Sequence, residues 1–175
     1  MANKYVNSKD LKEIKKWIQK LKAKKQEVDK GNKRKMARSN LNLPYKEISA
    51  GAHRIVYDIK DGFVLKVAIS KKGIQCNEFE AKLYKKVKSS LKSHLAEVKD
   101  HGFGWIIMEK IKDEVSDNKK NKNKLLKIHK NFSKAGVKAG DIIRKDNKQP
   151  QWSNIRYRKK DKSIIVIDYG NFKYQ

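Results

Sequence analysis

Apolar residues in the first part of the chain recur at the spacing of a helix. Four of them fall three or four positions apart between residues 11 and 21, lysines fill the positions between them, and Ser8 precedes them as a suitable N-cap. This pattern predicts an amphipathic helix over residues 8–28. Residues 29–42 contain little apolar material and a cluster of basic residues, so we expect a linker there.

From Tyr45 the apolar positions alternate in short runs, as they do in strands. The alternation predicts a short strand at Glu47–Ser49, then a hairpin formed by Arg54–Ile59 and Phe63–Ile69. Asp61-Gly62 separates the two hairpin strands and is a sequence typical of a tight turn. We therefore expect an antiparallel sheet in this part of the chain.

The rest of the chain alternates helices with short strands. The expected elements, in chain order, are a helix over Ile74–Leu91, strands over 95–99 and 103–111, a polar loop over 113–123, a helix that ends near Gly136, and a buried strand at Ile164–Ile167. Hairpin strands combined with separate helices indicate the α+β class of folds. A length of 175 residues is close to that of one domain.

The charge of the chain is strongly positive. Lysine and arginine number 45 against 19 aspartates and glutamates, which gives a formal net charge of +26. Such a surface attracts polyanions, so nucleic acid or an acidic protein is the expected partner, and binding should weaken steeply as salt is added. Charge of this kind does not by itself imply recognition of a base sequence.

Two features of the composition narrow the function classes. No apolar run approaches the roughly 18 residues that a membrane span requires. Cys76 is the single cysteine, so an internal disulfide cannot form, and we expect a reducing compartment, the cytoplasm. A membrane protein and a secreted disulfide scaffold are therefore disfavoured.

Lys66 lies within the apolar run of the second hairpin strand, where it shares one face with Val64 and Ala68. A buried ammonium without a partner is costly, so this lysine needs an anionic neighbour. The predicted helix that follows carries two candidates, Glu80 and, as the alternative, Glu78. We expect Lys66 to pair with Glu80.

A second polar pair lies near the end of the chain. Asn154 and Asp168 stand on the two arms of a predicted hairpin, with a basic turn and the apolar run Ile164–Ile167 between them. An amide oxygen and a carboxylate can converge on one Mg²⁺, a hard cation that keeps its remaining positions for phosphates and water. We therefore predict that Asn154 and Asp168 are metal ligands.

These parts, in this order, resemble the protein-kinase-like family, in particular its small and divergent bacterial and phage members. The resemblance is carried by a glycine-containing turn, the lysine of the next strand, a helix with glutamates, and a strand that runs into Asp168-Tyr169-Gly170 in place of Asp-Phe-Gly. It extends from Ile48 to Phe172. It implies that the protein binds ATP and Mg²⁺ and transfers a phosphoryl group.

The resemblance also implies roles for individual residues in ATP binding. The turn around Gly51 would cover the phosphates, because glycine lets backbone N–H groups approach phosphate oxygens. Val56 would lie under the adenine ring, and the backbone at Glu109 would hydrogen-bond its edge in the hinge between the lobes. Lys66, paired with Glu80, would contact the α- and β-phosphates.

The sequence departs from the family pattern in the phosphate-covering turn and in the catalytic loop. Ser49 and Arg54 stand where the outer two of the turn's three glycines would be. The family's catalytic base would fall on Gln149, and glutamine is not a useful proton acceptor. An insertion between Asp141 and Asn154 would restore the motif with Asp141 as the base.

Two alternatives to this assignment stay open. Asp146 lies within the same segment and is the other candidate base, and Asn147 competes with Asn154 as the metal ligand. The catalytic residues that we expect are Lys66, Asp141 and Asp168.

The resemblance divides the chain into three parts. They are a basic amphipathic helix and linker over 1–42, a kinase-like N-lobe with an antiparallel sheet and one main helix over 43–111, and a truncated C-lobe over 112–175. It implies an atypical ATP- and Mg²⁺-dependent kinase that acts on a protein, as serine/threonine kinases do, or on another hydroxyl substrate. The alternative is a pseudokinase that keeps the fold, has lost catalysis, and binds nucleic acid or an acidic protein through its basic surface.

Overall fold

The computed structural model describes residues 4–23, 30–144 and 146–175. Contacts divide the chain into two units. The first comprises Met1–Ala81 and Val98–Glu109, and the second comprises Lys82–Glu97 and Lys110–Gln175.

An antiparallel five-stranded sheet forms the centre of the first unit. Its strands stand in the order β1-β2-β3-β5-β4. They are Lys46–Ala50 (β1), Arg54–Asp58 (β2), Phe63–Ala68 (β3), Val98–Gly102 (β4) and Trp105–Glu109 (β5). The turn between β2 and β3 has positive φ angles at Lys60, Asp61 and Gly62. The sheet and its Asp-Gly turn, both predicted from the sequence, are confirmed.

Helix α1, Ser8–Ala23, packs on one face of this sheet. The indole Nε1 of Trp17 donates a hydrogen bond of 2.8 Å to the backbone oxygen of Ala68. Gly104, in the β4–β5 turn, has a φ of +82° and lies so close to Ile18 that an added Cβ would be 2.5 Å from that side chain. The predicted amphipathic helix is therefore confirmed over its described part, and its apolar stripe packs on the sheet.

Helix α2, Lys30–Leu41, occupies the segment that we expected to be a linker. Ala37 and Leu41 are fully buried in the same apolar core as α1. Arg38 makes a bidentate ion pair with Glu47 of β1, at 2.6 and 2.9 Å. The linker prediction was wrong because tertiary packing of two side chains stabilises a helix whose own sequence is only weakly amphipathic. The helix predicted over 8–28 and the linker predicted over 29–42 meet within residues 24–29, which lie outside the described residues.

Helix α3, Lys71–Lys86, begins on the opposite face of the sheet. Leu65 and Val67 of β3 belong to the core with α1, whereas Lys66 between them contacts α3. The helix predicted over Ile74–Leu91 is interrupted, because Lys88 has an extended backbone. A separate short helix, α4, follows at Ser89–Lys92.

Helix α5 and two short two-stranded sheets belong to the second unit. Helix α5, Lys119–Lys134, starts inside the predicted polar loop, because the Asn118 side chain caps it by accepting a hydrogen bond from the Asn121 N–H. The antiparallel strand pairs are β7, Ile155–Arg158, with β8, Ser163–Val166, and β6, Val137–Lys138, with β9, Lys173–Tyr174. The buried strand predicted at Ile164–Ile167 is confirmed except for its last residue.

The segment before β4 joins the second unit rather than the sheet. A strand was expected over 95–99, but β4 begins at Val98, and Leu95 forms a parallel bridge with Val166. The Ala96 N–H donates to the Val166 backbone oxygen at 2.9 Å. Strand β8 is therefore bonded to this segment as well as to β7.

The α+β class is confirmed. The division of the sequence at residues 42 and 111 stays a prediction. Within the described ranges, no helix is both long enough and apolar enough to cross a membrane.

Candidate active site

Lys66 lies in β3 and is buried, with 5% of its surface exposed. Its Nζ lies 3.1 and 3.3 Å from the two carboxylate oxygens of Glu80, which is fully buried on α3. Glu78 is exposed on the same helix. The structure therefore pairs Lys66 with Glu80, the partner that the sequence analysis preferred.

Arg54 reaches the same carboxylate from the start of β2. Its Nη1 donates to Glu80 Oε2 at 2.7 Å and to Asn77 Oδ1 at 3.1 Å. Asn77 Nδ2 in turn donates to the backbone oxygen of Lys66 at 3.5 Å, which links α3 to β3. All four residues are more than nine-tenths buried. We call Arg54, Lys66, Asn77 and Glu80 the cation cluster.

The sequence analysis noted Arg54 only as a residue in the place of a glycine and missed its partner. The register of the β2–β3 hairpin could have indicated that Arg54 lies near Lys66 and its partner. A turn at Asp61-Gly62 places Val56 opposite Lys66 and Arg54 opposite Ala68. Because side chains alternate along a strand, Arg54 and Lys66 then share one face of the sheet.

The turn that contains Gly51 is held in place by hydrogen bonds at its first end. The Gly51 N–H donates to the backbone oxygen of Arg54 at 2.9 Å. The Gly51 carbonyl accepts from Nε of Arg34 on α2 at 3.1 Å. Helix α2, which the sequence analysis missed, therefore fixes the turn predicted to cover phosphates.

His53 attaches the other end of this turn to the start of α3. Its carbonyl accepts from the Ile69 N–H at 2.8 Å, and its ring Nδ1 lies 2.9 Å from Ser70 Oγ. The same Oγ accepts from the Gly73 N–H at 3.0 Å and caps the helix. A Cβ added at Gly73 would lie 2.1 Å from the His53 oxygen, so glycine is what lets α3 approach the turn.

Val56 and Glu109 lie on strands of the same sheet. Val56 pairs with Lys66 and is half-buried. Glu109 is the last residue of β5 and pairs with Phe63, and the boundary between the two units falls directly after it. Their contacts with adenine stay a prediction, as does the contact of Gly51 with phosphate.

In the second unit, Asp141, Asn154 and Asp168 line one cavity of about 650 Å³. Asn154 directly precedes β7, and Asp168 follows β8. The Ile167 N–H donates to the backbone oxygen of Asn154 at 2.9 Å, which extends the hairpin by one bond. The two arms of the hairpin therefore bring Asn154 and Asp168 to the same cavity.

Asp141 reaches this cavity because the segment between it and Asn154 closes on itself. Ile143 and Pro150 form an antiparallel bridge near the base of that segment. The Asn154 side-chain Nδ2 then donates to the backbone oxygen of Asp141 at 3.2 Å. The insertion inferred from the sequence is thus a loop whose two ends meet.

The alternative residues of this loop are placed less favourably. Asp146 also lines the cavity but is exposed, and its carboxylate accepts from the Asn147 N–H. Asn147 and Gln149 are exposed in the loop, where the Asn147 side chain accepts from the Gln149 N–H at 3.0 Å. Asp141 and Asn154 are thus the less exposed of these candidates, and their roles as base and metal ligand stay a prediction.

Asn171 is a residue of the cavity that the sequence analysis missed. Its Nδ2 donates to Asp141 Oδ2 at 2.8 Å, which orients that carboxylate. The contact depends on the pairing of β6 with β9, in which Val137 stands opposite Tyr174. Two-residue strands have no alternation to detect, so the sequence carried no usable signal.

Tyr169 directly follows Asp168, at the position of the phenylalanine in the Asp-Phe-Gly motif. It is fully buried, and its hydroxyl donates to the Ala96 carbonyl at 2.9 Å. A buried tyrosine hydroxyl requires such an acceptor. The bond ties the backbone beside Asp168 to the segment that precedes β4.

The donor atoms of the cavity suit Mg²⁺. Asp168 and Asn154 offer a carboxylate and an amide oxygen, the ligands that a hard cation prefers. Over the part of the chain that the structure describes, no three His, Cys, Asp or Glu side chains cluster as they do in an all-protein metal site. Magnesium at nucleotide sites usually takes one or two carboxylates and completes its coordination with phosphates and water. The residues fit an ion bound in that way.

Comparisons with known proteins identify the fold. No protein-family profile matches the sequence, and no curated protein matches it significantly. The structure is similar to that of the bifunctional kinase-methyltransferase WbdD, with a TM-score of 0.55 and 16% identity over 76% of this chain and 35% of that chain. The chain has a protein-kinase-like fold. It spans about a third of the length of WbdD.

Two further solved kinases are similar at lower scores. The Lpg2603 kinase of Legionella pneumophila, bound to IP6, has a TM-score of 0.47 and 19% identity over 75% of this chain and 49% of that chain. The kinase PK-1 of the Cydia pomonella granulovirus has a TM-score of 0.46 and 16% identity over 81% of this chain and 59% of that chain. The fold therefore rests on the likeness to WbdD alone, and an identity of 16% shows the fold but not the reaction.

The resemblance inferred from the sequence is therefore confirmed for the fold. The antiparallel sheet expected of a kinase-like N-lobe is present in the first unit, and the main helix, α3, begins there. Helices α1 and α2 add a layer to its other face.

Proposed function

We propose that the protein is an atypical kinase that transfers a phosphoryl group from ATP, with Mg²⁺, to a protein or another hydroxyl substrate. The observation that carries the proposal is the meeting of Asp141, Asn154 and Asp168 at one cavity in a chain with a kinase-like fold. We place this activity in the cytoplasm, where the single, buried thiol of Cys76 would stay reduced.

In this proposal Lys66 binds the α- and β-phosphates of the nucleotide. Glu80 holds the Lys66 ammonium in one position, so that the cation needs no reorganisation when ATP binds. Asp168 and Asn154 would hold Mg²⁺, which would supply positive charge to neutralise the phosphates. Val56 and Glu109 keep the adenine-binding roles that the resemblance implies.

Asp141 accepts the proton of the attacking hydroxyl. A bond forms between the hydroxyl oxygen and the γ-phosphorus, the bond from that phosphorus to the β–γ bridging oxygen breaks, and ADP leaves. Asn171 orients the carboxylate of Asp141 through its hydrogen bond to Oδ2. This geometry supports Asp141 in the role that Gln149 could not fill.

Phosphorylation assays with radiolabelled ATP and MgCl₂ test the proposal, with the protein itself and an added general protein acceptor. The variants are Asp168→Ala and Asp141→Asn, with Asp117→Asn as a control for the loss of an exposed carboxylate in the same unit. We expect Asp141→Asn to label about 10²- to 10⁴-fold more slowly than wild type. Equal labelling of wild type and all three variants would refute phosphoryl transfer at this cavity.

A second candidate function is that of a pseudokinase that binds a polyanion. Two concave surfaces adjoin the cavity through Ile143, which lines all three. Their basic residues are Lys119, Lys122 and Lys148 on one surface, and Lys138, Arg144 and Lys148 on the other. No Asp or Glu side chain is among the described residues that line either surface. An acidic protein or a nucleic acid would meet three basic side chains on each surface.

Fluorescence anisotropy at low ionic strength tests this alternative with a labelled oligonucleotide and a labelled acidic peptide. Lys119→Glu/Lys148→Glu reverses two charges that line the surfaces, and Lys127→Glu/Lys130→Glu reverses two exposed charges of α5 that do not. The first pair should weaken binding more than the second. Equal losses, or no binding of either probe by wild type, would count against a polyanion site.

A further inference from the structure

The cavity that contains Asp141 and the two basic surfaces beside it carry opposite charges. Asp141, Asp146 and Asp168 line the cavity itself. The surface that contains Lys119, here the first surface, encloses about 410 Å³, and the one that contains Lys138, the second surface, about 290 Å³. No Asp or Glu is among the described residues that line either of them. A substrate carboxylate would therefore be repelled inside the cavity and attracted just outside it.

Arg144 lies on the border between the two, because it lines both the cavity and the second surface. Its Nε donates a hydrogen bond of 2.7 Å to Oε1 of Gln151, which also lines the cavity. Among the residues that the structure describes, this is the only hydrogen bond of the Arg144 side chain. The guanidinium is therefore held at the edge of the cavity, and its two terminal nitrogens can donate to an acidic group.

Lys148 lines both basic surfaces. Its φ of +56° lies in the left-handed region, which costs free energy for lysine and little for glycine. Within the described part of the chain Lys148 forms no ion pair, whereas Lys122 of the first surface lies 3.1 Å from a carboxylate oxygen of Asp117. A lysine at a strained position beside a candidate active site indicates a role for its charge.

The first surface also has an apolar part. Leu126 of α5 is 49% exposed and lines this surface together with Ile143 and Pro150. No aromatic side chain is among the described residues that line it, whereas proteins that bind single-stranded nucleic acid commonly stack bases on aromatic rings. An aliphatic patch beside lysines therefore fits a peptide that carries an apolar residue among its carboxylates.

We propose that the acceptor substrate is an acidic peptide, whose carboxylates flank the reacting hydroxyl and bind Arg144 and Lys148 outside the cavity. The inference rests on the phosphoryl transfer proposed above and names its substrate class. The basic surfaces then serve the reaction, rather than replace it as in the pseudokinase alternative. Because these two side chains would bind the acceptor and not the reacting atoms, removing their charges should raise the KM for an acidic peptide and leave kcat unchanged.

Steady-state phosphorylation of three acceptors by the full chain, with ATP and MgCl₂, tests the inference. The acceptors are a serine peptide with one leucine and flanking glutamates, the same peptide with glutamines in place of the glutamates, and an oligonucleotide with a free 5′-hydroxyl. Wild type should have its highest kcat/KM for the acidic peptide, and added NaCl should reduce the advantage over the glutamine peptide.

The double variant Arg144→Gln/Lys148→Gln measures the contribution of the two charges. An exposed charge contact changes affinity by about two- to fivefold, so the KM of the acidic peptide should rise about 4- to 25-fold. The KM of the glutamine peptide should change by less than about twofold. Lys127→Gln/Lys130→Gln is the matched control, since both lysines are exposed on α5 and line neither surface.

Lys148→Gly separates a substrate contact from a structural role. Glycine relieves the left-handed backbone at this position but removes the ammonium. We expect an unchanged or higher melting temperature and a preference for the acidic peptide that is about two- to fivefold smaller. A lower melting temperature with the preference intact would assign Lys148 to the structure of the loop and count against the inference.

Four results would overturn the inference. They are equal kcat/KM of wild type for the two peptides, a higher kcat/KM for the oligonucleotide, equal changes in the double variant and its control, and a fall in kcat for both peptides in Arg144→Gln, which would place this arginine at the transferred phosphoryl group. Failure of the proposed function has a different signature, because wild type would then label none of the three acceptors, and the inference would fall with it.

Discussion

Replacing Glu80 tests how the charges of the cation cluster are balanced. Glu80→Gln keeps the shape of the side chain but removes the carboxylate that both Arg54 and Lys66 contact, at 2.7 and 3.1 Å. The two cations then face each other where no more than 7% of either residue is exposed. Removing one partner of a buried ion pair costs about 3–5 kcal/mol. We expect the free energy of unfolding of Glu80→Gln to fall by an amount in that range.

Lys66→Met is the contrasting change. It keeps the 2.7 Å ion pair of Arg54 with Glu80 and replaces the ammonium with an apolar chain of similar length. Apolar replacement of buried ionic groups is often neutral or stabilising as long as no buried charge is left uncompensated, and Glu80 keeps its contact with Arg54 in this variant. We therefore expect the free energy of unfolding of Lys66→Met to stay within about 1 kcal/mol of wild type, although the proposed function depends on this lysine.

Urea unfolding followed by tryptophan fluorescence separates the two variants, because Trp17 and Trp105 lie in the same unit as the cluster. With a slope of roughly 2 kcal/mol per molar urea, the loss expected for Glu80→Gln lowers the midpoint by about 1.5–2.5 M. The midpoint of Lys66→Met should move by less than about 0.5 M. Equal shifts, or a larger shift for Lys66→Met, would refute the view that the Glu80 carboxylate stabilises both buried cations.

Three further predictions concern packing and pH. Gly73→Ala would place a Cβ 2.1 Å from the His53 oxygen, so we expect a loss of about 1–3 kcal/mol, and an unchanged melting temperature would contradict this. Trp17→Phe removes the 2.8 Å hydrogen bond to Ala68 and should cost about 1–3 kcal/mol in urea unfolding, because a buried carbonyl loses its donor. Burial lowers the pKa of His129 below its ordinary 6.5, so the unfolded chain binds more protons than the folded protein in the window below 6.5, and stability rises with pH there. Melting temperatures of His129→Gln should therefore decline less than those of wild type as the pH falls from 7 to 5, and parallel declines would argue against the shift.

The features predicted correctly from the sequence are those that depend on local pattern. The β2–β3 hairpin follows from alternation around Asp61-Gly62, and its register then fixes the face on which Lys66 lies. The pairing of Lys66 with Glu80 follows from the cost of an unpaired buried ammonium, which leaves few carboxylates to choose from. The hairpin that brings Asn154 and Asp168 together follows from two apolar runs with a basic turn between them.

The features that were missed depend on contacts between distant segments. Helix α2 has weak amphipathicity, and what stabilises it is the burial of Ala37 and Leu41 in a core made by other elements. Asn171 reaches Asp141 through the pairing of two very short strands. Neither contact produces a periodic pattern of apolar residues from which it could have been predicted.

The sequence by itself determined the central hairpin, most of the longer helices and the residue types at the strand ends, because apolar periodicity and turn chemistry act over a few neighbouring residues. The tertiary structure alone decided that Arg54 shares the Glu80 carboxylate with Lys66, and that Asp141 stands beside Asn154 at one cavity. Both contacts join residues that are distant in the sequence. The free energy that stabilises such contacts comes from burial and hydrogen bonds spread over the whole unit.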